Sequence, residues 1–113
     1  QRQLYGNGTT AASSSNTNLG CFAVFGVNGT SATANTFSNS EIYIPNYASS
    51  NQKSISVDEV VETNDALANH SSCAIVAGLW NQTSAITQID LSSYNGNSFA
   101  QYSTAYLYGI KNS

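Results

Sequence analysis

Ser72–Trp80, Ser-Cys-Ala-Ile-Val-Ala-Gly-Leu-Trp, is a continuous apolar run with no charge in it. A run of this kind suits a central strand covered on both faces, and a central strand needs neighbours on either side. The rest of the chain offers those neighbours in short pieces separated by turn signals. Residues 21–27 are apolar on both faces and end at Asn28-Gly29, a strong hairpin-turn dipeptide. Residues 41–44 alternate and stop at Pro45, which has no N–H to give to a ladder. Residues 85–91 carry Ile86, Ile89 and Leu91 at spacings of three and then two, which suggests a bulge. Asn95-Gly96 turns the chain into 99–110, where Phe99, Ala105 and Leu107 share one parity and Tyr102, Tyr106 and Tyr108 the other.

Lys53–Val61 admits two readings. As a strand it sets Ile55, Val57 and Val61 on one face and Ser54, Ser56 and Asp58 on the other. As a helix it has a capping box, Ser56 with Glu59, and an apolar side of Val60, Val61 and Leu67. Thr63, Asn64 and Asp65 are poor mid-helix residues, so the strand is preferred. Residues 6–19 carry almost no hydrophobic signal and are expected as an exposed loop or linker.

Six strands at short spacing predict an all-β domain, a mostly antiparallel β-sandwich or jelly roll of about six to eight strands. Residues 1–113 form one such domain, with 1–19 as an extended, loop-rich N-terminal segment. Composition agrees: 48 of the 113 residues are Ser, Thr, Asn or Gln, and 8% are charged, against roughly 25% in ordinary soluble proteins. With 41% hydrophobic residues the chain is neither charge-driven disorder nor a coiled coil. The chain opens at Gln1 rather than Met, as expected of a processed protein or of a segment of a longer one.

The same composition narrows function. The cations are Arg2, Lys53 and Lys111, too few and too scattered for a nucleic-acid face at a net charge of −3. No apolar run has the length of a membrane helix. His70 is the single histidine, it lies in a polar stretch, and no Gly-x-Ser-x-Gly elbow occurs, so no nucleophilic triad is expected. Four ligands for zinc are not to hand, and Cys21 and Cys73 stand as buried thiols or as a disulfide, the thiols being preferred.

Asp58, Glu59, Glu62 and Asp65 cluster in sequence and read as a solvated edge or turn; Asp58, Glu62 and Asp65 lack the spacing and glycine of an EF-hand calcium loop. Glu41 and Asp90 complete the carboxylates available to a glycosidase pair. Sequons at Asn7, Asn28, Asn69 and Asn81 are about as many as this Asn-, Ser- and Thr-rich composition places by chance. No catalytic residue, cofactor or metal is therefore expected. The aromatic residues remain: Tyr43, Tyr47, Trp80, Tyr102, Tyr106 and Tyr108 are the interface candidates, because a tyrosine buries a ring while its hydroxyl finds a partner.

From Glu41 onward several motifs resemble one family. They are Glu41-Ile42-Tyr43-Ile44-Pro45-Asn46-Tyr47, Lys53-Ser54, the stretch 58–64, Gly78-Leu79-Trp80, Ala85-Ile86-Thr87 and above all Ser103-Thr104-Ala105-Tyr106-Leu107-Tyr108-Gly109-Ile110. Together they resemble virion structural proteins of tailed bacteriophages, a group common in marine phages. Members are often longer, with further strands ahead of the part that matches Leu4-Tyr5-Gly6. The resemblance implies a non-enzymatic β-sandwich on the exterior of a phage particle, as capsid decoration (a cement protein) or as part of a tail or head fibre. Its implied partners are the major capsid protein or fibre subunits, with self-association as a homo-oligomer, a trimer being the form suggested by such roles. The alternative is a fibre domain that recognises a host surface glycan. Nucleic acid and membrane are not among the implied partners.

Overall fold

The computed structural model describes residues 1–17, 20, 26–28, 32–63, 71–93, 96 and 98–110. Five strands are present: β1 (Arg2–Gly6), β2 (Ala11–Ser15), β3 (Asn39–Tyr43), β4 (Lys53–Val61) and β5 (Ser72–Trp80). They form one sheet in the order β2-β1-β5-β4-β3, with every pairing antiparallel. The protein is all-β, and the described residues contain no helix.

The centre follows the hydrophobic pattern. β5 lies in the middle, as its apolar run requires, and pairs with β4 along nine registered positions from Lys53↔Trp80 to Val61↔Ser72. On β4 the burial alternates strictly, so that Lys53, Ile55, Val57, Glu59 and Val61 all face inward. Ile55, Val57 and Val76 form the core cluster, and Ile44, just past β3, packs against it.

The inner face is closed at its two ends by chain that crosses it. At one end Gly26 lies so near β4 that a Cβ there would stand 1.8 Å from Val61 Cγ2 and 2.8 Å from Glu59 Oε1. Only glycine fits a backbone approach this close. Asn28 beside it is buried and donates from Nδ2 to Thr36 Oγ1 at 2.9 Å, tying the crossing to the turn before β3. At the other end the chain after β5 passes under Lys53, and Ile86 N donates to Tyr47 O in the β3–β4 connection.

Several expectations are corrected. The exposed loop foreseen for 6–19 is in its first part a hairpin, β1–β2. Its turn is built by Asn7, whose Oδ1 accepts from Thr9 N, Thr10 N and Thr10 Oγ1, and by Gly8 at φ 85°. The N-terminal ammonium donates to Asn16 O and Asn16 N donates to Gln1 O, which closes the open end. β2 carries only Ala and Ser, so backbone hydrogen bonds hold it without any apolar periodicity.

Conversely, 85–91 and the described part of 99–110 lie in no strand, because no element of the sheet offers them a ladder. The described residues hold five strands in one sheet, fewer than the six to eight foreseen. In the strand foreseen at 21–27, Val27 is in none, and 21–25 lie outside the described residues. Both proposed Asn-Gly turns also lie partly outside them, although Gly96 takes the positive φ, 70°, that such a turn needs.

Candidate functional site

The alternation that buries one face of β4 and β5 leaves the opposite face bare. On β5 the outward positions are Cys73, Ile75, Ala77 and Leu79, and the register brings Leu4 beside Ile75 and Val60 beside Cys73. Tyr43 extends this face on the edge strand. Leu4, Tyr43, Val60, Ile75 and Leu79 are each between 53% and 60% exposed. Large apolar side chains gathered on one exposed sheet face mark a candidate interaction surface, unlike apolar residues scattered singly.

Charge interrupts the apolar face. Arg2 on β1 pairs with Ala77, and Asp58 on β4 stands opposite Ile75 on one side and Glu41 on β3 on the other. Like charges opposite one another on a ladder are unfavourable. The two carboxylates lie on an open sheet face, where water solvates them. The remaining acidic positions are dispersed: Glu62 accepts from Ser71 Oγ at 2.7 Å, and Asp90 accepts from Gln88 Nε2 through both oxygens. His70 and Asp65 lie outside the described residues. Among the described residues no three of His, Cys, Asp and Glu come together.

The expected interface residues fall into four places. Tyr43 belongs to the bare face, on the edge strand. Tyr47 lies in the β3–β4 connection, where its carbonyl receives Ile86 N. Trp80 ends β5 opposite Lys53 on the covered side, with a part of its surface exposed.

Tyr102, Tyr106 and Tyr108 belong to the C-terminal arm 98–110. Tyr106 and Tyr108 stack with ring centroids 6.5 Å apart and an interplanar angle of 26°. The arm is open: Tyr102, Tyr106, Leu107, Tyr108 and Ile110 are 74–84% exposed. The six candidates are therefore not one site; Tyr43 and the arm tyrosines are separate exposed surfaces.

No protein-family model, curated protein or solved structure matches the chain.

Cys73 corrects an expectation. It is a free thiol and exposed, not a buried small hydrophobe, because its parity on β5 is that of Ile75 and not of Val76. Cys21 lies outside the described residues. Lys53 is the residue that sequence inspection missed. Its Nζ donates to three successive carbonyls, Gln82 O at 3.5 Å, Thr83 O at 3.1 Å and Ser84 O at 2.6 Å, while the side chain is 1% exposed. The signal was available, since Lys53 shares the parity of Ile55, Val57 and Val61.

Proposed function

We propose that this is a non-enzymatic structural protein whose bare sheet face docks on a neighbouring protein subunit, and that its setting is the exterior of a bacteriophage particle. The observation that carries the binding role is the set of exposed apolar residues Leu4, Tyr43, Val60, Ile75 and Leu79 gathered on one sheet face, with Arg2, Glu41 and Asp58 set among them. The sandwich expected from the sequence would then be completed in the assembly, with the neighbouring subunit acting as the second layer. The virion setting rests on the motif resemblance from Glu41 to Ile110, and within it we put capsid decoration ahead of a fibre.

The stacked pair Tyr106–Tyr108 favours a second reading, a fibre domain that grips a host glycan, since aromatic faces stack on sugar rings. Quantitative mass spectrometry of purified particles separates the two. A decoration protein is expected at a copy number comparable with that of the major capsid protein. A small minority of copies would shift the reading to the fibre, and absence from the particle would overturn both.

A further inference from the structure

We infer that the C-terminal arm pairs in trans: residues 103–110 of one chain add as a strand to the free edge of β3 in a second copy of the same chain. This inference goes beyond the virion reading and does not rest on it. Three observations carry it.

The first is the arm itself. Thr104, Tyr106, Tyr108 and Ile110 alternate with Ala105, Leu107 and Gly109, a strand-forming pattern rich in β-branched and aromatic residues. Residues 103–110 nevertheless pair with no strand of their own sheet. Large apolar side chains at 74–84% exposure on an unpaired extended segment leave the sequence's own preference unmet.

The second is the base of the arm. Ser103 N donates to Ala100 O at 3.1 Å, closing a turn that holds Tyr102 at φ 72°. A bulky residue pays a steric penalty of about 1–2 kcal/mol in the left-handed region. Strained hinges of this kind favour exchange of an element between copies.

The third is the receiving edge. Among the described residues β3 is bonded to β4 alone, and its Ile42 and Tyr43 are half-exposed. An incoming arm would meet Ile42 and Tyr43 as cross-strand neighbours of Tyr106, Leu107 and Tyr108, the pairings that stabilise ladders best. The opposite edge, β2, offers only Ala and Ser. The arm carries no charge from 98 to 110, so it approaches Glu41 without like-charge repulsion although each copy is net negative.

The test uses the full chain in solution. Sedimentation analysis across a dilution series is expected to show self-association, weakened at least a hundredfold by the pair Tyr106→Asp and Tyr108→Asp. These positions are exposed, so circular dichroism should be unchanged. A photo-crosslinker at Leu107, in a mixture of light and heavy isotope-labelled chains, should join light to heavy at residues 39–43. A chain that stays monomeric at every concentration overturns the inference, as does association untouched by the two substitutions. Crosslinks confined within single chains, or to a site other than β3, overturn it too. None of these outcomes alters the copy number in particles, so the two proposals fail separately.

Discussion

Lys53→Met is expected to lower the stability of the fold by about 3 kcal/mol, seen as a reduced urea midpoint at unchanged slope. Methionine keeps the length and most of the volume of the lysine stem, so the loss reports the ammonium group and not a cavity. Three N–H donors meet three carbonyls in succession, at 3.5, 3.1 and 2.6 Å, in a place where the side chain is 1% exposed. Hydrogen bonds from a charged donor contribute about 1.5–3 kcal/mol each, and their removal leaves carbonyls of 82–84 to find water. The longest of the three adds least, and the loop relaxes so that the freed carbonyls reach water, which brings the expected loss below the simple sum of about 4.5–9 kcal/mol. A domain of this size has only about 5–15 kcal/mol in hand. A loss below about 1 kcal/mol would mean that 82–84 is held across the inner face by something other than Lys53.

Val76 and Ile75 give the second large effect, as a contrast. They are adjacent on β5 and point to opposite faces. Val76 is 1% exposed in the core cluster and Ile75 is 60% exposed on the bare face. Val76→Ala is expected to cost about 2 kcal/mol through lost burial and the void left behind. Ile75→Ala removes more carbon yet should stay within about 0.5 kcal/mol, because nothing packs on it. Chemical denaturation of the isolated chain measures both. Equal losses would show that the outer face is covered in the free protein and would remove the basis for docking there.

These two residues also show what the sequence makes legible. The strict alternation of β4 and the unbroken apolar run of β5 reflect burial, and burial decides strand parity, so the centre of the sheet could be placed in advance. Yet the run of β5 suggested cover on both faces. Among the described residues the structure buries the side of Ala74 and Val76 and leaves Ile75 and Leu79 exposed. Apolarity left exposed in this way is what the proposed docking would use.

The misreadings have the same origin. β2 is held by ladder hydrogen bonds and by a polar contact between Gln3 and Ser14, with no apolar stripe to announce it. Residues 85–91 and the arm have the composition of strands but, among the described residues, join no ladder. Propensity describes what a segment tolerates; a strand exists only where another edge receives it. The candidate site was legible as residue types, since the tyrosines stood out. Its division into a sheet face and a projecting arm was not, because that depends on which segments the sheet admits.

The central claim, that the bare face is an interface, is tested most directly through Cys73, the exposed thiol among its apolar residues. Alkylation with a small maleimide, followed peptide by peptide in the mass spectrometer so that Cys73 is scored apart from Cys21, is compared between the isolated chain and purified particles. The account predicts rapid modification of Cys73 in the isolated chain and strong protection in the particle, relieved when the particle is dissociated. Equal reactivity in both settings would contradict it, because docking on this face would cover the thiol that stands beside Val60 and Ile75 on it.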